Sequence, residues 1–299
     1  MGIHEQSYET WSGSLQSRMS RIWALIVSGL GYPFSRRANL VVIGLMYLMI
    51  LGWLFLLYIF ASSSAPPVFV LGNNLYRSWF FNHGLFGFLL MILASTVGAT
   101  MISRDLQHNA LLMIFSKAIS RSDYLISRFT TLVLFFLQVT LLPALILWLG
   151  QWGMSPEDLS IGSRLRDLFA ITMHSFIIVI PFASVVLACS SLTKRPHVAA
   201  MLWVLFYLLT WVFSSILERT VDQQWCRLLW WQNLTARVGE AFYENRPAKT
   251  GIPFVGEGGS DISPLLEMGP SVPGLILVGV TVLSLAIIRL RLRQVEVRE

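Results

Sequence analysis

Ile102–Phe129, ISRDLQHNALLMIFSKAISRSDYLISRF, decides how this chain is read. Uncharged apolar runs lie on either side of it, Gly84–Ile102 before and Phe129–Gly150 after. Between them the stretch carries Arg104, Lys117, Arg121 and Arg128, the acids Asp105 and Asp123, and a consecutive apolar patch, Leu111, Leu112, Met113, Ile114 and Phe115. That patch is too short to cross a bilayer, which takes about 20 residues of helix. Two spans joined by a mixed-charge loop with a small apolar patch describe a membrane protein that presents the loop to a partner.

Composition agrees. The chain has 299 residues, 55% hydrophobic and 13% charged, with mean hydropathy +0.64. Soluble domains carry roughly 25% charged residues. Working outward from the loop, further apolar runs appear at Leu40–Phe60, Leu168–Leu192, His197–Leu217 and Val272–Ile288, making six spans in all. They are continuously apolar rather than alternating, so they read as helices and not as barrel strands. The fold class is an all-α polytopic membrane protein forming a single transmembrane domain over residues 1–299.

Orientation follows from Lys and Arg. With the N-terminus inside, the inner pieces hold Arg18, Arg21, Arg36, Arg37, Lys194, Arg195, Arg289, Arg291, Arg293 and Arg298 besides the four cations of the loop. The outer pieces hold fewer cations over longer sequence, so both termini are expected in the cytosol. The net charge of +6 then belongs to membrane anchoring rather than to nucleic-acid binding, and no nucleic-acid partner is expected. No cleavable signal peptide is read at the N-terminus: the first apolar segment, near Ile22, is followed by Arg36 and Arg37 rather than by a small-residue cleavage site.

The first 38 residues read as a cytosolic tail and an amphipathic helix at the inner interface, in which Leu15, Met19, Ile22, Trp23, Ile26 and Leu30 recur at helical spacing. A soluble N-terminal helix or a disordered tail is the alternative. Residues 218–271 form a long outer connection. Its first half is rich in Trp, with Trp225, Trp230 and Trp231, and Trp230, Leu234, Val238, Ala241 and Phe242 follow at helical spacing. One or two short helices lying on or dipping into the outer leaflet are expected there. From Asn245 to Gly274, Pro and Gly indicate irregular loop. No internal repeat of the kind found in many secondary transporters is visible.

Chemistry is sparse. Lys249-Thr250 lacks the glycine loop of a nucleotide-binding motif, and no HExxH, paired-Cys or GxSxG pattern occurs. Cys189 and Cys226 lie in unlike surroundings and are not expected to pair. His83, His174 and His197 lie near span ends and far apart in sequence, which favours packing or hydrogen bonding over metal binding. The spans contain no charge, whereas proton-coupled carriers usually keep intramembrane carboxylates. Pro143 and Pro181 interrupt the third and fourth spans, a structural more than a gating feature. Ala94, Ser95, Gly98 and Ala99, and later Ala183, Ser184 and Ala188, permit close helix approach.

Within the loop, Ser120-x-x-Asp123 has the form of a capping box, so a helix is expected to begin in the cytosol at Ser120 and enter the membrane. The apolar patch reads equally as a helix inserting into a groove on a soluble partner or as a hairpin connection on the lipid surface. The sequence also resembles the signature region of type-2 ABC permeases. The resemblance rests on Arg104-Asp105 ending the second span, Ala110-Leu111-Leu112-Met113, Ile119-Ser120-Arg121, Tyr124-Leu125 and Arg128-Phe129, with Arg21-Ile22-Trp23-Ala24-Leu25-Ile26 looking like the family's pre-span helix. Asn109-Ala110 stands where Gly-Thr is common, and Ala118 stands where Pro is usual.

That resemblance implies a permease subunit of an ABC exporter in a bacterial cytoplasmic (inner) membrane. A separate ABC ATPase would bind ATP and Mg, with no cofactor or catalytic motif in this chain, and a second permease copy or paralogue would complete the pathway. Residues 103–128 would be the cytosolic coupling loop, with Arg104, Asp105, Leu111, Leu112, Phe115, Ser120, Arg121 and Tyr124 as coupling residues and Ile22, Trp23 and Ile26 on the interfacial helix. The alternative is a non-transporting transmission or scaffold subunit that relays ATPase movement to an outer-face protein. A membrane-embedded enzyme ranks third, because no polar cluster is read within the spans.

Overall fold

The computed structural model describes residues 17–61, 85–115, 119–154, 161–221, 224–243 and 269–296, and every regular element among them is helical. Helix α1 is Arg18–Ser35 and α2 is Arg37–Ala61. Helix α3, Leu85–Gln107, contains a π-helical turn at Ala94–Gly98. The short α4, Ala110–Phe115, leads to α5, Arg121–Met154, and α6, Ile161–Leu192. Helix α7 is Pro196–Val221, followed by a 3₁₀ turn at Gln224–Leu229, α8 at Trp231–Glu240 and α9 at Ser271–Glu296.

Six of these helices (α2, α3, α5, α6, α7 and α9) are long and apolar enough to cross a membrane. They contain the six runs read from the sequence, apart from Gly84, which lies outside the described residues. Some extend well beyond them. Helix α5 has 34 residues, about 50 Å at helical rise, because the polar sequence before Phe129 is helical too. Pro143 and Pro181 sit inside α5 and α6 without ending either helix.

Burial sorts the helices into a centre and a rim. The most apolar windows of α3 and α6 are 72% buried, against 17% for α7 and 22% for α2 and α9, so α3 and α6 are the axis of the bundle. Helix α6 packs against α3, α5, α7, α8 and α9. Small residues bring the axis together: a Cβ on Gly98 would come within 2.4 Å of Val186 Cγ1. One turn further on, the Ser190 hydroxyl of α6 accepts the backbone N–H groups of Ile102 at 2.9 Å and Ser103 at 3.0 Å. The π turn widens the backbone just before this point, so a side chain from α6 meets donors in α3.

Aromatic rings fill the middle. Phe136 meets Phe182 edge-on at 5.1 Å, and Phe182 meets Trp203 at 4.8 Å. Trp203 is 1% exposed, and its indole N–H donates to the Met91 carbonyl at 3.1 Å. A buried indole usually finds an acceptor for its N–H, and here the Met91 carbonyl supplies it.

Helix α1 shows how the apolar stripe read from the sequence divides. Its N-terminus is capped by the Ser17 hydroxyl, which accepts the Ser20 N–H at 3.3 Å. It ends at Arg36, where the backbone is extended, and the buried Asn39 amide donates to the Pro33 carbonyl at 3.0 Å. Ile26, Gly29 and Pro33 face inward, and Gly29 lies so close to Thr131 of α5 that a Cβ would come within 2.9 Å of its methyl. Met19, Trp23 and Val27, one turn apart, are exposed. The stripe is two faces, one seated on α5 and one turned outward.

The outer connection differs more. Helix α8 packs on α6 and α9 and touches α7, and nearly all of its residues, polar ones included, are buried. The expected stripe does not describe this: Leu234 is buried, but Ala241 is exposed, and Gln232, Asn233, Arg237 and Glu240 are buried with it. A helix wedged between neighbours has no face left for water. Residues 244–268, including the expected irregular loop up to that point, lie outside the described residues.

Candidate functional site

The 102–129 stretch folds into a knuckle fastened on three sides. Helix α3 ends at Gln107, and the chain turns at Asn109, whose φ of 51° lies in the left-handed region. Asn tolerates that region better than other residues with a side chain. Helix α4 follows at once, with Leu111 buried and Met113 68% exposed. The side chain of Leu112 and residues 116–118 lie outside what is described.

Helix α5 begins with the capping box closed on itself. The Ser120 hydroxyl accepts the Asp123 N–H at 3.1 Å, and Asp123 Oδ2 accepts the Ser120 N–H at 3.4 Å. The other carboxylate oxygen of Asp123 accepts two bonds from the Arg18 guanidinium, at 2.6 and 2.9 Å, which seats the start of α1 on the start of α5. This hydrogen bond and the charge of Asp123 raise the Arg18 pKa above its ordinary value. An already strong base thus stays charged throughout the working pH range.

Behind the box sits a second cluster. Asp105 Oδ2 accepts the Tyr124 hydroxyl at 2.6 Å and Arg128 Nη2 at 2.6 Å. Tyr124 is fully buried, its ring meeting Phe115 edge-on at 6.0 Å, and Arg128 lies over the same ring at 5.3 Å. The ends of α3, α4 and α5 are therefore joined through one carboxylate and one ring. Arg104 points the other way, donating to the Tyr32 hydroxyl of α1 and stacking 4.8 Å from that ring's centre.

Of the residues expected to act together, Asp105, Phe115 and Tyr124 converge, Leu111 is buried in the core, Ser120 caps α5, and Arg121 is the first residue of α5. Ile26 is buried, Ile22 half-buried and Trp23 exposed. Sequence reading did not single out Arg18, Tyr32, Asp123 or Arg128 as site residues. Tyr124 and Arg128 lie one turn apart, so their common face was readable. Arg18 and Asp123 are 105 residues apart, and no local pattern links them.

A second polar group, not expected within the spans, is carried into the bundle by α8. Gln232 Nε2 donates to the Tyr207 hydroxyl of α7 at 2.5 Å, in a space left open by Gly87 of α3. Gly239 lies against the ring of His174, which is fully buried near the middle of α6 and meets the Tyr243 ring at 5.8 Å. Arg237 and Glu240 are buried on the same helix. The apolar runs are uncharged as read; Gln232, Arg237 and Glu240 come from the connection folded between them, while Tyr207 and His174 belong to the spans. His174 sits deep in α6 rather than at a span end, because α6 begins at Ile161, ahead of the apolar run. Among the described residues no group of three or more His, Cys, Asp or Glu could hold a metal ion, and both cysteines are free thiols.

No protein-family model matches the chain, and no curated protein sequence matches it significantly.

Proposed function

We propose that this chain is the membrane-spanning permease subunit of an ATP-binding-cassette transporter of the exporter type, driven by a separate ATPase that docks on the 102–129 loop. The observation that carries the reading is the bracing of α4. Its exposed Met113 is backed by Leu111 and Phe115, and the Asp105–Tyr124–Arg128 cluster behind them ties together α3 and α5. The Asp123–Arg18 pair adds α1. A partner can transmit a conformational change only if its two states load the receiving element differently and that element moves as a unit. A short helix rooted in two spans meets the second condition. A short apolar helix that leaves Met113 exposed suits a groove on a soluble protein. In this reading both termini are cytosolic, the membrane is a bacterial inner membrane, a second permease copy or paralogue completes the pathway, and ATP and Mg belong to the ATPase.

The alternative, a non-transporting subunit that relays ATPase movement to an outer-face protein, draws on α8. The outer connection docks on α6, α7 and α9, so a shift of the spans moves the segment an outer partner would meet.

The test is co-purification with a Walker-type ATPase, sought in the reading frames beside this chain's gene, followed by ATP hydrolysis in proteoliposomes. Met113→Glu, at an exposed position, is expected to lower ATPase retention and stimulated hydrolysis by about tenfold, the scale of one lost interface anchor. Charge reversal at Asp105 and Arg121 is expected to act in the same direction. Full retention and stimulation in all three variants sinks the coupling role. Hydrolysis without movement of any candidate cargo, together with capture of an outer protein, selects the alternative.

A further inference from the structure

We propose that the end of the bundle where α6 and α9 finish forms a binding site for the phosphate headgroup of an acidic phospholipid. The proposal rests on the six helices spanning a bilayer and not on the ATPase reading.

Two segments far apart in sequence are fastened together there. Arg291 Nη2 donates to the Leu192 carbonyl at 3.2 Å, closing the last turn of α6, while Nη1 bonds Gln294 at 3.0 Å. The α6–α7 turn is held by Thr193, whose hydroxyl accepts the Arg195 N–H at 3.1 Å. Lys194 and Arg195 on that turn, and Arg289, Arg291 and Arg293 around the end of α9, are all exposed, and Arg291 is the one that reaches α6.

The segments that carry these cations bring one acid, Glu296, the last residue of α9. No Asp or Glu occurs from Leu168 to Leu217 or from Met268 to Val295. The 102–129 loop is built differently: Asp105 and Asp123 sit among its cations and bond Arg128 and Arg18. Cations flank both regions, as the rule for inner loops requires, and their excess over acids is larger here than in the loop.

The rim is also apolar. Leu192 is 45% exposed and Leu290 59% exposed, among the cations, whereas Ile288 and Leu292 turn inward and root α9 in the bundle. An acidic protein surface or a free anion would satisfy the charges and leave the leucines wet. A phospholipid does both, with its phosphate on the guanidinium groups and its acyl chains along the leucines.

Native mass spectrometry of the detergent-purified chain tests this, with phosphatidylglycerol and phosphatidylcholine of identical acyl chains as probes. Phosphatidylglycerol is expected to be retained preferentially. Arg289→Gln combined with Arg293→Gln is expected to weaken it by roughly 25-fold, about fivefold for each cation removed. Arg291 is left in place because it holds α9 to α6. Arg36→Gln with Arg37→Gln removes the same charge elsewhere and is expected to change retention by less than about threefold, which separates a local site from a general loss of charge. Equal retention of the two lipids overturns the proposal, as does phosphatidylglycerol binding in the double variant as tight as in the unaltered chain. Displacement by millimolar inorganic phosphate also overturns it, in favour of a free-anion site. Intact lipid retention alongside loss of the ATPase overturns it in favour of a protein contact.

Discussion

Asp105 holds two groups that have few other places to go. Its carboxylate receives the hydroxyl of fully buried Tyr124 and the guanidinium of Arg128, whose side chain is 14% exposed. Asp105→Asn keeps the shape but removes the charge, leaving a nearly buried cation without its counter-ion. Losing a charge-assisted bond and stranding its partner costs about 2–3 kcal/mol. Tyr124→Phe removes one hydroxyl and keeps the ring against Phe115, so about 1 kcal/mol is expected. Denaturation in mixed micelles measures both, and the double variant is expected to fall short of the sum, since the residues share one cluster. Full additivity would mean that the Tyr124 hydroxyl and the Asp105 charge act independently. Arg18→Gln offers a contrast: the cation is largely solvent-exposed while Asp123 is buried, so its loss is expected to loosen α1 from α5 more than to unfold the bundle, visible as faster proteolysis after Arg18. Residue by residue, the sequence singled out Asp105 and Tyr124 but not Arg128, although its one-turn spacing from Tyr124 was readable. Arg18–Asp123 escaped because long-range pairing leaves no mark in either local stretch.

At the scale of elements, two contacts decide whether helices seat. Gly239 of α8 is so near the His174 ring that a Cβ would lie 2.3 Å from its nearest atoms. A ring held inside α6 has little freedom to retreat, so Gly239→Ala is expected to displace α8 and destabilise the chain by about 1–3 kcal/mol, the usual cost of overpacking. Gly87→Ala meets the ends of two side chains, the Gln232 amide and, at 3.1 Å, the Tyr207 hydroxyl; the amide can swing away at the cost of its bond to Tyr207, so a smaller effect is expected. Equal losses at the two glycines would contradict this ordering. Ser190→Ala tests the other contact: two backbone donors of α3 lose their acceptor, and about 1–2 kcal/mol of stability is expected to go with it. The small residues at 94–99 were readable as a close-packing signal, though the π turn was not, since its cause is the fit to α6. Helix α8 was harder still. Its Trp residues read as interface anchors, while what draws it inward is room left by Gly87 and Gly239 on separate parts of the chain.

For the whole molecule, span number and helical class were legible because twenty uncharged residues leave the backbone few alternatives in lipid. Which helices are central was not legible: α3 and α7 are similarly apolar, with hydropathy 2.1 and 2.0, yet one is buried and the other lines the rim. Apolarity selects membrane over water and does not separate lipid from protein neighbours. The arrangement makes a topological statement that labelling can check. Arg18 meets Asp123, Ser190 meets Ile102 and Ser103, and Arg291 meets Leu192, so α1, the 102–129 knuckle, the α6–α7 turn and the end of α9 share one end of the bundle. The cation excess is the basis for our proposal that this end faces the cytosol. In a background with Cys189 and Cys226 replaced by Ala, Met113→Cys and Gln294→Cys are expected to react with a membrane-impermeant maleimide only in inside-out vesicles. Ser163→Cys, near the start of α6, is expected to react only in right-side-out vesicles. Reaction of Met113→Cys and Gln294→Cys from opposite sides would require an odd number of crossings between them and would break the six-span bundle. Reaction of both from the outside would keep the bundle and invert it, which would remove the 102–129 knuckle from the reach of any cytosolic ATPase.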